Sequence, residues 1–233
     1  MVIFSSANLT ALVAGDALTN HSVGVSVKRG GQGACVCAIL YRHSVLGDES
    51  TPAEAQRVTA AILSSCERDY EAITASAGGD ELDRRLSETL TRANVIAGDA
   101  DAFYSAMVLA TVGDAASLAG VGHATAVACH GGVVGDVLLH PTILPIPGQP
   151  VEKALLTANL GPGFDAQKIQ TRQLNLGRDG LVLIAIKSIL KAAADGMPVG
   201  SGPDQGTPAG LLPAVKELFE GDPPLLAIIS PTA

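Results

Sequence analysis

Short apolar runs separated by glycines fill the middle of the chain, and this pattern predicts a series of short strands. The stretch Ser117–Val134 has the form strand, turn, strand, turn, strand, with breaks at Gly120, Gly122 and Gly131-Gly132. Glycine adopts turn conformations that bulkier residues avoid. We therefore expect three consecutive strands here, joined by two tight turns.

Further strands are predicted where apolar residues run continuously or alternate with polar ones. These segments are residues 8–16, 22–27, 34–41, 180–186 and 225–229, with a turn at 28–33 and a proline-punctuated connection at 141–150. Apolar residues at helical spacing indicate two consecutive helices between the early and middle strands. The first begins near Thr51-Pro52, where threonine can cap and proline fits the first turn, and Gly78-Gly79 separates it from the second. Shorter helices are expected at 187–194 and 214–219.

This order of elements is typical of an α+β fold rather than of regular strand–helix–strand alternation. No segment has the length or composition of a domain linker, so residues 1–233 are expected to form a single domain. The stretch 196–213 is rich in glycine and proline and is predicted to be a mobile surface loop.

Composition and charge exclude several classes of partner. The formal net charge is −8, from 23 acidic and 15 basic residues, and such a field repels nucleic-acid phosphates and anionic lipid. The first residues lack the basic segment of a signal peptide, and the apolar run Leu181–Ile186 is too short to cross a bilayer. These features predict a cytoplasmic protein that binds neither nucleic acid nor membranes.

Cysteines and histidines raise the question of a metal site. Cys35 and Cys37 share one face of a predicted strand, but their spacing is not the C-x-x-C of zinc or redox sites, so buried apolar packing is the favoured interpretation. His21, His123 and His130 are candidate transition-metal ligands, weighed against hydrogen-bonded or solvated imidazoles. The second interpretation is favoured, and no cofactor is expected.

Several stretches, taken in order, resemble the metal-dependent protein phosphatases of the PP2C (PPM) family. They are Asn20-His21-Ser22, Ala93-Asn94, the turn Gly122-His123-Ala124, and the segments 156–161, 178–188 and 221–229. The resemblance implies a PP2C-like β-sandwich of two antiparallel sheets flanked by helix pairs, in α-β-β-α layers. It also implies hydrolysis of phosphoesters by two divalent ions, Mg²⁺ or Mn²⁺, held by carboxylates.

The residues at the implied metal positions do not preserve that chemistry. The family's carboxylates would fall on Ser22, on Leu40 or Tyr41, on His123 and on Ile186, whereas Asp222 alone keeps a ligand-like side chain. One carboxylate cannot hold two divalent ions. We therefore expect a catalytically inactive, pseudophosphatase-like signalling module that binds a protein or a phosphorylated ligand, with loop 196–213 as its recognition element.

Two alternatives to this interpretation are compatible with the sequence. One is a divergent, active Ser/Thr phosphatase that holds Mg²⁺ or Mn²⁺ with Asp16, Asp48 or Asp179 together with Asp222. The other is an α+β binding protein unrelated to phosphatases.

Overall fold

The computed structural model describes residues 2–5, 10–14, 23–30, 34–43, 49–113, 115–130, 133–144, 147–148, 155–174, 181–186 and 225–230. Its strands are β1 (Val2–Ser5), β2 (Thr10–Ala14), β3 (Val23–Arg29), β4 (Cys35–Arg42), β5 (Tyr104–Val112), β6 (Ala115–Val121), β7 (Ala124–His130), β8 (Val133–Leu139), β9 (Ile143–Leu144), β10 (Leu155–Leu156), β11 (Gln170–Leu174), β12 (Leu181–Ile186) and β13 (Leu225–Ser230). Its helices are α1 (Pro52–Arg68), α2 (Tyr70–Thr74) and α3 (Gly79–Asp99), with a short 3₁₀ turn at Ala166–Lys168.

Two antiparallel sheets make up the framework. The first has the strand order β11-β6-β5-β4-β3, and the second has the order β1-β2-β13-β12-β7-β8. A separate pair, β9 with β10, is also antiparallel. The predicted α+β class and its two antiparallel sheets are therefore confirmed.

The first sheet is covered on both faces, because successive side chains of a strand point to opposite sides. On β4, Val36, Ala38 and Leu40 join a buried cluster that includes residues of α1 and α3. Cys37 and Ile39 instead join a second cluster with residues of β7 and β8. The described residues thus form a helix layer, a first sheet and a second sheet, with apolar cores between them.

The helices begin where the sequence pattern placed them. Thr51 caps α1 by accepting a hydrogen bond from the Glu54 N–H, while the Glu54 carboxylate accepts from the Thr51 N–H at 2.8 Å. This reciprocal capping box satisfies backbone donors that no helical carbonyl reaches. One face of α3 is buried, at Leu82, Leu86, Leu90 and Ala93. No helix within the described ranges is long and apolar enough to span a membrane.

Some boundaries differ from the sequence expectations. Gly120 lies inside β6 and is not a turn residue, and β3 continues to Arg29, into the segment predicted as a turn. β1, β9, β10 and β11 were not predicted, and β9 lies within the segment 141–150 that was predicted to be a connection. β11 is an edge strand whose residues 171–173 are exposed and polar, so it carries no apolar signal. The predicted helices at 187–194 and 214–219 and the loop 196–213 lie outside the described residues.

Packing of α3 on the first sheet provides a test of this architecture. Leu90→Ala removes a fully buried side chain and is expected to lower the free energy of unfolding by about 3 kcal/mol. Val95→Ala on the same helix is the control, because Val95 is 59% exposed, and its effect should stay below about 0.5 kcal/mol. Urea denaturation followed by circular dichroism measures both values. Equal losses in the two variants would contradict the assigned helix face.

Candidate functional site

The candidate site lies where the chain leaves the first sheet at the end of β6 and enters the second at the start of β7. Only Gly122 and His123 join the two strands. Gly122 has φ +85°, a conformation that side chains disfavour, and an added Cβ would lie 2.3 Å from the Ser105 Oγ. Both the dihedral angle and the close approach require glycine at this position.

Two hydroxyl-bearing residues hold this turn in place. The His123 N–H donates to the Ser105 Oγ at 2.8 Å, and the Gly122 N–H donates to the Thr142 Oγ1 at 2.8 Å. The Thr142 N–H donates in return to the Gly122 carbonyl at 2.7 Å. The backbone groups that the turn removes from the strand ladders are therefore paired with neighbouring residues.

Ser105 also connects the turn to the end of β4. The His43 Nε2 lies 2.7 Å from the Ser105 Oγ, and the His43 N–H donates to the Phe103 carbonyl at 2.8 Å. A serine and a histidine at this distance have the contact of a nucleophile and its base. However, Ser105 is completely buried, and its Oγ already accepts a hydrogen bond from the backbone N–H of His123. The hydroxyl therefore connects the His43 ring to the backbone of the turn.

The ring of His43 contacts two other rings. The ring centroids of His43 and His123 are 5.7 Å apart with a tilt of 45°, and Tyr41 lies edge-on to His43 at 5.1 Å. Burial, and then the neighbouring His123, lower the pKa of His43 from 6.5 to about 4. His43 is therefore neutral at neutral pH.

The structure brings together some of the predicted site residues. Tyr41 pairs with Ser105 across β4 and β5, and Ile186 pairs with Ala124, the residue after His123. Tyr41, His123 and Ile186 thus lie at the same end of the sandwich. Leu40 does not join them, because it is packed in the cluster beneath the helices.

Other predicted residues fall outside the described part of the chain. Ser22 and Asp222 are among them, as are the alternative ligands Asp16, Asp48 and Asp179. His21 is also undescribed, and for His130 only the backbone is placed, in β7. Sequence reasoning missed His43 and Ser105. The one available signal was the position of His43, directly after an apolar strand.

The oxygen-rich centre implied by the resemblance does not fit the side chains that the structure describes at this end of the sandwich. Mg²⁺ and Mn²⁺ prefer carboxylate and carbonyl oxygens, yet this end of the sandwich presents a phenol and two imidazoles. Within the described ranges, no three or more His, Cys, Asp or Glu side chains are grouped so as to hold a metal ion. The described side chains at this end of the sandwich therefore differ in chemistry from the ligands that the resemblance implies.

The described cysteines behave as the buried apolar residues that the sequence predicted. Cys35, Cys37 and Cys66 are all buried. Burial raises the pKa of Cys37 and of Cys66 to about 12, so these two thiols stay protonated and unreactive at neutral pH.

Two of the stretches that carried the resemblance are in contact. The Asn94 Oδ1, on α3, accepts a hydrogen bond from the Gly161 N–H at 2.7 Å. Gly161 has φ +115°, and an added Cβ would lie 2.1 Å from the Ala102 carbonyl oxygen. These residues connect the helix layer to the segment beside β5, so they are part of the scaffold.

Comparison of the whole structure shows that the chain has the fold of PP2C-type Ser/Thr phosphatases. The S. agalactiae serine/threonine phosphatase superposes with a TM-score of 0.68 and 12% identity, over 95% of this chain and 98% of that chain. Stp1 from Staphylococcus aureus gives 0.65 and 9%, over 100% and 98%. RsbX, solved in complex with magnesium, gives 0.55 and 13%, over 98% and 96%. By sequence, no family model and no curated protein matches.

The role of Ser105 can be tested by removing its hydroxyl. Ser105→Ala leaves the His123 N–H without its acceptor, and we expect a loss of about 1–3 kcal/mol in the free energy of unfolding. Ser64→Ala makes the same chemical change at an exposed position of α1 and should be nearly neutral. Urea denaturation compares the two. A Ser105→Ala variant as stable as the Ser64→Ala variant would refute the positioning role.

The lowered pKa of His43 predicts a pH dependence of stability. Between pH 4 and 6.5 the unfolded chain binds a proton at His43 that the folded chain does not, so the free energy of unfolding rises with pH across this window. The full contribution is about 3 kcal/mol, present above pH 6.5 and lost as pH falls towards 4. His123 and Tyr41 are the neighbouring titratable rings.

Urea denaturation of the wild type and of His43→Gln at several pH values isolates this contribution. As pH rises from 4 to 6.5, the free energy of unfolding of the wild type should increase relative to that of His43→Gln. The control is His140→Gln, which changes an exposed histidine and should show the same pH dependence as the wild type. A difference that is constant with pH would contradict the assigned cause.

Proposed function

We propose that this protein is a PP2C-fold signalling module of the cytoplasm that binds a protein partner or a phosphorylated ligand. In this proposal it does not hydrolyse phosphoesters by the two-metal mechanism. The supporting observation is the placement of Tyr41, His123 and Ile186 at one end of the sandwich. These are positions where the resemblance implies carboxylates.

The electrostatic requirement of a dinuclear centre supports the loss of that reaction. Two adjacent divalent cations repel each other, and acidic ligands must offset their charge. A phenol, an imidazole and a branched alkyl chain supply no anionic oxygen at neutral pH. Asp222, the single ligand-like residue retained in the sequence, leaves most of that charge uncompensated.

The scaffold favours binding as the remaining function. The turn between the two sheets is held by the hydrogen bond from Gly122 to Thr142, and the helix layer is held by the hydrogen bond from Gly161 to Asn94. These contacts maintain the fold and therefore the surface on which a partner could bind. Loops on such a scaffold commonly carry recognition, and the glycine- and proline-rich stretch 196–213 is the proposed contact element. The net charge of −8 repels the phosphates of nucleic acid, so the proposed partner is a protein.

Mn²⁺ titration calorimetry and an aryl phosphate assay test the loss of turnover. We expect no binding of two Mn²⁺ ions and no Mn²⁺-dependent hydrolysis, under conditions in which the S. agalactiae phosphatase serves as the positive control. Asp222→Ala should behave as the wild type does. Asp99→Ala, at an exposed residue near the end of α3, is the matched control.

The active-phosphatase alternative predicts the opposite outcome. Tight binding of two Mn²⁺ ions, with hydrolysis abolished by Asp222→Ala and kept in Asp99→Ala, would overturn the proposal. Binding is tested separately with an immobilised chain in which residues 196–213 are replaced by a glycine–serine linker. Retention of every partner by that variant would contradict the role given to the loop.

A further inference from the structure

Strands β3 and β11 form the two edges of the first sheet, and they differ in character. Residues 171–173 of β11 are exposed and polar. β3 has seven residues, pairs with β4 in unbroken register and carries the half-buried Val25 and Val27. A long, regular, apolar edge strand is a template for pairing with another strand. From the backbone geometry and the charges at this edge, we propose that two copies of this chain form a dimer through β3.

The hydrogen bonds of the β3–β4 hairpin determine which backbone groups of β3 face outward. The Gly30 N–H donates to the Ala34 carbonyl at 3.0 Å, so these two residues form a hydrogen-bonded pair. Hydrogen-bonded and non-hydrogen-bonded pairs alternate along an antiparallel ladder. Along the observed register, Ser26 therefore bonds to β4, whereas Val25 and Val27 direct their N–H and C=O groups away from it. Among the described strands, none pairs with β3 on that outward side.

The outward groups of β3 are complementary to those of a second copy. With two copies antiparallel around a two-fold axis at Ser26, Val25 of each copy lies opposite Val27 of the other, and these pairs exchange backbone hydrogen bonds. The valine side chains of both copies then meet on the face that packs against β7 and β8, and such cross-strand apolar pairs are stabilising. The two first sheets join into one continuous sheet.

Charges on the other face of β3 match across the same axis. Ser26 donates a hydrogen bond to the Glu67 carboxylate, which holds this exposed residue of α1 over the middle of β3. The Lys28 Nζ donates to the Glu67 carbonyl at 3.3 Å, so its positive charge lies at the same edge. In the antiparallel pairing, Lys28 of one copy is diagonal to Ser26 of the other, about 7–8 Å away and within reach of a long side chain. Each lysine can therefore pair with Glu67 of the other copy.

Sedimentation velocity over a range of protein concentrations tests this interface, and we expect a reversible monomer–dimer equilibrium. Val27→Pro removes an outward N–H and no hydrogen bond to β4, so it should abolish the dimer. Thr171→Pro is the matched control on the opposite edge strand. The same alternation, followed through β4, β5 and β6, directs the Thr171 N–H outward, so this variant should dimerise as the wild type does.

Charge-reversal variants test the same interface without changing its backbone. Lys28→Glu and Glu67→Lys each replace attraction by repulsion at both symmetry-related contacts, and each should weaken dimerisation about tenfold. The double variant Lys28→Glu/Glu67→Lys restores opposite charges and should recover most of the lost affinity. Circular dichroism checks that every variant is folded.

Three outcomes would overturn the proposal. They are a monomer at every concentration up to about 1 mM, a dimer that Val27→Pro leaves intact, and a double charge variant that associates no better than the single ones. The proposal does not rest on the proposed function. None of these measurements involves phosphoester hydrolysis or the loop 196–213, so failure of this interface and failure of the proposed function are distinguishable.

Discussion

The passage of the chain between the two sheets at Gly122-His123 is the constraint that organises this end of the molecule. Because two residues must carry the chain from β6 to β7, the turn needs a positive φ and leaves backbone groups without ladder partners. Ser105 and Thr142 pair with those groups. Since Ser105 lies opposite Tyr41 in the first sheet, and Ala124 opposite Ile186 in the second, the same turn fixes how the two sheets align at the site.

The residues that hold the scaffold and those that would perform the chemistry are separable in this fold. Gly122 and the Asn94–Gly161 contact have purely geometric roles, and they match the stretches that resemble the phosphatases. Tyr41 and His123 depart from that pattern, yet the backbone around them keeps its register. A fold persists when its turns and cores persist, whatever side chains line the site.

The sequence predicted much of the framework, for reasons that are local. Thr51, Pro52 and Glu54 define a helix start through their own chemistry, and continuous apolar runs identified β4 and β12. What it missed depends on tertiary contacts. β11 is a polar edge strand recognised only by its pairing with β6, and the His43–Ser105 contact joins residues 62 positions apart. No local pattern shows that a histidine after one strand lies beside a serine of the next.

Electrostatics explain why uncharged side chains such as those of Tyr41 and His43 are compatible with this end of the fold. A partly buried group of acidic residues is stable only while cations offset its charge, and without them the carboxylates repel one another and resist ionisation. Tyr41 and neutral His43 need no such compensation. Their rings contact each other edge-on, and the buried Ser105 hydroxyl forms a hydrogen bond with the His43 ring. A scaffold of this kind can in this way keep its geometry while the side chains that line one end of it change.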